Sequence, residues 1–414
     1  MVHNRYDYLI IGGGLAAATA VKELVQLDPE ASKGILAAEP EPPYDRPPLS
    51  KDYLLGRDAR ASLFLLKEST YRRYGIGLHL ETPALSVDPK AHIVAIPAGE
   101  IEYGRLLIAS GCSLKNLEIP GAGLAGFFYL RVLSDSEAIR SAAGQGRTAV
   151  MIGGGFIGLE VASALASYNI NPTIVQPESR LLARYASEEL SACFEELFAD
   201  QGVHVIYGDV AAEIAGEGAV TAVVTKSGRT LPCDMACAGI GVYPNTAYLE
   251  GSGLTLNDGI AVNEYLEAAP GVYAAGDVAN FPDLIAGRRR RIEHWDNAIA
   301  QGRTAARNMA GHREAFNHVS YFYSTMFDLT YEFFGDMTSY DEAVVRGSFE
   351  RRSAAVLYLG EGSLKAALLY NRPPWERSAV QRLIAGGATL DAVRDRLAEG
   401  SFRFDSILKA DTGS

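Results

Sequence analysis

Short, continuous apolar runs broken by glycine dominate most of the chain. Tyr6–Ile11 reads YDYLII, a β-branched and aromatic run of the length expected for a strand buried on both faces of a parallel sheet. It leads directly into Gly12-Gly13-Gly14-Leu15-Ala16-Ala17, and an Ala-rich helix is expected from Ala16 to Leu27. A second strand is expected over Gly34–Ala38. The same order returns later: strand Thr148–Ile152, glycine turn Gly153-Gly154-Gly155-Phe156-Ile157-Gly158, helix Leu159–Tyr168, strand Asn171–Val175. From about residue 317 the pattern changes to alternating, aromatic-rich strands (Tyr331–Gly335, Ala354–Leu359, Leu364–Tyr370). Two amphipathic helices follow, Trp375–Ala385 and Leu390–Glu399.

A strand, a GxGxxA or GxGxxG turn and a helix, in that order, form a pyrophosphate cradle. In the first copy Gly12 permits the tight turn, Gly14 lets backbone approach the phosphates, and Ala17 lets helix and strand pack closely. Leu15 and Ala16 open the helix, whose N-terminal N–H groups attract anions. The following strand ends in Glu39, a carboxylate placed to accept from ribose hydroxyls, with Glu41 as the alternative. In the second copy Gly153, Gly155 and Gly158 take the same parts, with Phe156 and Ile157 at the helix start. Its second strand ends in Gln176, where an NAD site usually carries an acid, and Arg180 and Arg184 lie downstream. The reading is NADH, with NADPH left open.

Hydrophobic residues at 48% and charged residues at 21% describe a globular protein with material for several buried sheets. A net charge of −12 argues against nucleic acid as the main partner. The apolar window Thr148–Ala166 is no membrane span, because four glycines interrupt it. No apolar leader precedes the first strand, so a cytoplasmic location is expected. Cys112, Cys193, Cys233 and Cys237 are few and scattered, fitting structural thiols in a reducing compartment. No metal-ligand set appears. Arg288–Arg291 reads either as a solvated loop or as a docking patch for an acidic protein.

Pro43-Tyr44-Asp45-Arg46-Pro47-Pro48-Leu49-Ser50-Lys51, Ala109-Ser110-Gly111, Gly239-Ile240-Gly241-Val242, Ala275-Gly276-Asp277-Val278-Ala279 and Arg291-Ile292-Glu293-His294-Trp295 occur in this order. With Tyr323-Ser324 and Asn371-Arg372-Pro373 they extend over nearly the whole chain. Together they resemble the FAD-dependent NAD(P)H:ferredoxin reductases of oxygenase systems. That group takes in the Rieske-oxygenase and putidaredoxin reductases, rubredoxin reductases and apoptosis-inducing-factor-like proteins.

The resemblance implies roles. Lys51 would sit beside the flavin, and Glu160 would approach the nicotinamide and pair with Lys51; these are the candidate catalytic residues. Asp277, after Gly276, would bond the ribityl chain at the start of a helix aimed at the cofactor. Arg46 and Arg131 would hold the FAD phosphates and neighbouring groups. Trp295 would lie near the isoalloxazine, with Glu293 and His294 beside it, and Ala84, Ala109, Gly111 and Gly241 complete the cofactor contacts. The competing readings are a surface lysine for Lys51, a solvated helix position for Glu160 and a core aromatic for Trp295. Ser110, Tyr243 and Gln176 depart from the family pattern, the last two at the nicotinamide side.

The fold class expected is α/β: two Rossmann-like dinucleotide-binding domains of the two-dinucleotide flavoprotein type plus a C-terminal α+β domain. The FAD domain is expected to be discontinuous, 1–116 and 242–316, with the NAD(P)H domain at 117–241 and the C-terminal interface domain at 317–410. The function implied is hydride transfer from NADH to FAD, then single electrons to a [2Fe–2S] ferredoxin or rubredoxin, by a monomer or homodimer. An apoptosis-inducing-factor-like oxidoreductase with slow turnover and redox-controlled dimerisation is the alternative. An oxidase, peroxidase or disulfide reductase is disfavoured, because Glu39–Tyr53 holds no cysteine and no C-x-x-C occurs.

Overall fold

The computed structural model describes residues 5–144, 148–185, 187–399 and 403–404. Its first sheet has a parallel core in the order Val272–Ala274, Gly99–Ile108, Arg5–Ile11, Lys33–Leu36, Gly77–His79. Leu9, Ile10, Leu106 and Leu107 are fully buried within it, as an apolar strand covered on both faces requires. Helix Leu15–Leu27 packs against helix Trp295–Met309 at a contact that needs glycine. A Cβ on Gly302 would stand 2.5 Å from the Ala16 carbonyl oxygen.

The second sheet is parallel throughout: His204–Ile206, Asn171–Val175, Thr148–Ile152, Met235–Ala238, Phe127–Tyr129. The two sheets are linked by an antiparallel pair, Cys112–Leu114 with Val242–Pro244. The apolar window from Thr148 to Ala166 forms a strand, a glycine turn and the helix Phe156–Ala166. That helix begins three residues earlier than its apolar periodicity suggests, because Gly155 is extended and serves as its N-cap. Among the described residues, no helix is long and apolar enough to cross a membrane.

The C-terminal sheet is antiparallel, in the order Tyr321–Met326, Leu329–Gly335, Ser363–Tyr370, Ser353–Gly360, Glu342–Ser348. Strand alternation gives it two apolar faces. Tyr331, Tyr358 and Tyr370 share a core with Phe194 and Phe198 of the second unit, while Phe334, Leu357 and Leu369 pack with Ala379 and Leu383. Those last two lie on the helix Pro374–Gly386, which ends at Gly387 in the left-handed conformation.

Two expectations fail here. Leu390–Glu399 is not an amphipathic α-helix; a 3₁₀ segment forms instead, Asp391–Arg396. Arg288–Arg291 is not a solvated loop but a strand, paired antiparallel with Ala279–Asp283. Arg290 pairs with Asp283 and Asp336, and Arg291 with Asp258 and Glu293; their side chains are only 13% and 10% exposed. Arg288 bonds Asp336, and Arg289 donates to the carbonyls of Asn280 and Val262.

Candidate functional site

A cavity of about 690 Å³ runs from the first glycine turn to the start of helix Phe156–Ala166. Gly12, Gly14, Leu15 and Ala16 form one end. Gly12 has φ +124°, and a Cβ there would come within 2.1 Å of the Ala109 carbonyl oxygen, so only glycine fits. Gly14 faces open space: a Cβ there would meet nothing within 4 Å. A bare backbone beside an open channel at a helix N-terminus is what a pyrophosphate needs. Ala17 is fully buried beneath the turn and does not line the cavity.

Glu39, not Glu41, borders this cavity. Its carboxylate accepts from the Tyr44 hydroxyl at 2.5 Å and pairs with Arg46, while Glu41 pairs with Arg60. Arg46 also donates to the Arg131 carbonyl at 2.7 Å. Thus the Pro43–Lys51 loop is braced against the end of the second strand by its own tyrosine and arginine. Ala84, Ala109, Gly111, Arg131, Gly276 and Asp277 line the middle of the cavity. The Arg131 guanidinium stands 3.4 Å from Asp277, and Gly276 N–H donates to Gln301 at 2.8 Å. Asp277 does not begin a helix aimed inward. Gly276–Val278 is a single 3₁₀ turn that runs straight into a strand, so no helix dipole acts from that point. On this side of the cavity, the helix whose first turn lines it is Trp295–Met309, N-capped by His294.

Lys51 and Glu160 meet at the cavity's far end, 2.7 Å apart. Glu160 is only 5% exposed, so the solvated-helix reading is wrong, and Lys51 at 18% is no free surface lysine. Two hydroxyls absent from the sequence-derived set complete the group. Ser50 Oγ donates to Glu160 Oε2 and Ser324 Oγ to Oε1, each at 2.5 Å. Charged and hydroxyl donors around a buried carboxylate meet the requirement that buried charge be paired and hydrogen-bonded.

The rim is aromatic. Trp295 is 39% exposed, not a core aromatic, and its indole N–H donates to Asp45 at 2.6 Å. Burial raises the Asp45 carboxyl above the ordinary range, opposed by that same indole bond. His294 packs on Phe322, ring centroids 4.7 Å apart, and burial followed by the charges of Arg290 and Arg184 lowers its imidazole to about 3. It is therefore neutral at physiological pH. Glu293 lines the cavity and pairs with Arg291 at 2.6 Å. Cys112 also lines it, but burial pushes its thiol up to about 12 and it forms no disulfide, which does not suit it to thiolate chemistry. Cys233 and Cys237 fall in different apolar clusters and form no disulfide.

Of the second turn, only Phe156, Ile157 and Glu160 line this cavity; Gly153, Gly155, Gly158, Gln176 and Gly241 lie outside it. Gly153 and Gly158 pack closely, since a Cβ on Gly158 would be 2.1 Å from the Gly153 carbonyl oxygen. Gly155 faces open space, as Gly14 does. Gly241 has φ +100° and its carbonyl accepts from Lys115 N–H at 2.9 Å. Gln176 does not present itself to a ribose in this structure. It is 1% exposed beneath Gly154, and its Nε2 donates to the Arg180 carbonyl at 3.0 Å. No group of three or more potential metal ligands occurs among the described residues.

Comparison with known proteins agrees with this architecture. The family model described as pyridine nucleotide-disulphide oxidoreductase matches residues 6–302, and that described as reductase C-terminal matches 321–408. The chain is 36% identical to the ferredoxin reductase subunit of 5,5'-dehydrodivanillate O-demethylase from Sphingobium sp., over 95% of this chain and 96% of that one. It is 32% identical to monodehydroascorbate reductase of Pisum sativum, over 98% and 100%. The crystal structure of a covalent putidaredoxin reductase–putidaredoxin complex superposes with a TM-score of 0.94 at 29% identity, covering 99% of both chains. The chain belongs to the pyridine nucleotide-disulphide oxidoreductase family, as an FAD- and NAD(P)H-dependent flavoprotein reductase carrying the reductase C-terminal domain.

Proposed function

We propose that this enzyme takes reducing equivalents from NAD(P)H and delivers them singly to a [2Fe–2S] ferredoxin. The observation that carries the reading is the buried Lys51–Glu160 pair, set where a cavity from the first glycine turn reaches the head of the second turn's helix. Gly12, Gly14, Leu15 and Ala16 offer backbone to the FAD pyrophosphate, Glu39 accepts from its ribose, and Arg46, Arg131 and Asp277 hold its polar middle. Ala84, Ala109, Gly111, Gly276, Glu293, His294 and Trp295 supply the remaining walls. Gly153, Gly155 and Gly158 cradle the second dinucleotide, while Phe156, Ile157, Gly241 and the strand end at Gln176 border its path. In this proposal the first and third segments of the chain, 1–116 and 242–316, bind FAD, 117–241 bind NAD(P)H, and 317–410 close over both.

Bound FAD supplies the conversion of a two-electron donor into single-electron delivery. The protein's contribution is orientation and charge. Lys51 brings an ammonium to the reacting end of the cavity, and Glu160 fixes where that ammonium stands. Phe156 and Phe322, with ring centroids 4.8 Å apart, wall that end against water. His294, neutral and inward, adds no competing positive charge.

Docking of the acidic partner is assigned to the outer half of the arginine strand, since the side chains of Arg290 and Arg291 are only 13% and 10% exposed. Arg288 is 44% exposed and Arg289 is also exposed. A second reading keeps the flavin chemistry and changes only the acceptor, to a small organic radical. It is favoured by the likeness to monodehydroascorbate reductases over 98% of the chain. Two assays with the same enzyme separate them. Cytochrome c reduction by NADH that requires added [2Fe–2S] ferredoxin supports the first. NADH oxidation driven by ascorbate plus ascorbate oxidase, with no response to ferredoxin, overturns it in favour of the second.

A further inference from the structure

Helix Phe156–Ala166 and strand Tyr321–Met326 meet in matched register. Phe156, Glu160 and Ser163 recur at helical spacing, while Phe322 and Ser324 recur at strand spacing. Phe322 packs on Phe156. Ser324 donates to Glu160 at 2.5 Å, and the backbone N–H of Phe327, in the hairpin turn just beyond, donates to Ser163 Oγ at 3.0 Å. Ser324 is 1% exposed among aromatic neighbours, so its hydroxyl is a buried donor that an alanine would take away from the Glu160 carboxylate. Its hydroxyl has Glu160 as its charged partner, and the oxygen it bonds is the one Lys51 also holds. The neighbouring Tyr323 is 41% exposed and also lines the cavity.

We infer that Ser324 is a positioning residue: its hydroxyl fixes the Glu160 carboxylate so that Lys51 is held toward the flavin, making the C-terminal sheet part of the redox site. The inference rests on the flavoprotein reading above. Without Ser324, Glu160 keeps Ser50 on Oε2 but loses a fixed Oε1. The Lys51 ammonium then follows a mobile carboxylate, and the positive charge favouring the reduced cofactor is spread over more positions.

The test is the two-electron midpoint potential of the FAD-loaded enzyme, measured by dye-equilibrated reductive titration without NADH or ferredoxin. Ser324→Ala should weaken reduction about tenfold, a shift of about 30 mV to more negative potential. Ser324→Thr, which keeps the hydroxyl, should restore most of it. In a Glu160→Gln background the Ser324→Ala shift should disappear, whereas a purely structural effect would persist. A wild-type potential in Ser324→Ala, equal shifts for Ala and Thr, or an undiminished shift in the Glu160→Gln background each overturns the inference. Should Ser324→Ala fail to fold, Ser324→Cys, a weaker donor of similar size, must show an intermediate shift, and a wild-type value overturns it. Failure of the underlying reading looks different: wild-type protein that carries no flavin to titrate.

Discussion

Replacing Lys51 with methionine removes the cation paired with Glu160 and leaves a carboxylate 5% exposed with two serine hydroxyls. Stripping one partner from a buried ion pair costs roughly 3–5 kcal/mol. Lys51 itself is 18% exposed, so water relieves part of the strain and about 2–3 kcal/mol is the expected loss for the FAD-loaded enzyme. Glu160→Gln removes the charge, keeps a carbonyl oxygen for one serine and turns its amide N–H toward the other, and leaves Lys51 free to turn toward solvent. The double variant therefore should not cost the sum. An interaction energy of about 2 kcal/mol should appear, with Lys51→Met/Glu160→Gln more stable than Lys51→Met alone. The assay is guanidinium unfolding followed by flavin release and tryptophan emission. Flavin reduction by NADH in anaerobic stopped flow should slow about a hundredfold in all three variants, equivalent to about 2.7 kcal/mol of barrier. Additive stability losses, or reduction at the wild-type rate in Lys51→Met, would refute the argument.

Four other outcomes are expected. Gly12→Ala should abolish folding of the first unit, because φ +124° and the Ala109 carbonyl leave no room, whereas Gly14→Ala should fold and lose about tenfold in FAD affinity; equal behaviour in expression and flavin titration would contradict this. Gln176→Glu should not sharpen NADH preference but lower stability by about 1–3 kcal/mol, since it sets a carboxylate against the Arg180 carbonyl; calorimetry and paired NADH and NADPH titrations read both. With its imidazole lowered to about 3, His294 stays unprotonated in the fold from its ordinary 6.5 down to that value, while the unfolded chain takes the proton. Stability should fall by up to about 1.4 kcal/mol per pH unit through that window and show no His294 dependence above it, and His294→Gln should flatten the acid limb by one proton. Arg288→Gln should raise the ferredoxin Michaelis constant several-fold at low salt and leave ferricyanide reduction unchanged; equal effects on both acceptors would count against docking there.

The parts of this molecule legible in its sequence are those where local geometry leaves little choice of residue. Gly12 and Gly153 combine positive φ with a backbone carbonyl close behind them, so the turn and its glycine imply each other. Resemblance, not spacing, brings Lys51 and Glu160 together, and the structure pairs them. Tyr323-Ser324 belongs to the resemblance, but the bond of Ser324 to Glu160 stays hidden in the sequence because its partner is 164 positions away. Arg288–Arg291 resists reading for a related reason: four identical charges carry no alternation, and the acids that absorb them, Asp258, Asp283 and Asp336, are scattered. The resemblance places Asp277 at the start of a helix, yet the chain enters a strand two residues later. The strand end points Gln176 toward a ribose, but its side chain fills the space that Gly154 leaves open.

One anaerobic titration reaches the central claim directly: that two dinucleotide sites converge on the buried lysine–glutamate pair. The purified protein should absorb as a flavoprotein, and one equivalent of NADH or NADPH should bleach that absorbance. Sub-stoichiometric oxidised ferredoxin should then restore it in single-electron steps. Protein that binds no flavin, or a flavin band that persists under excess of both nicotinamide dinucleotides, would contradict it.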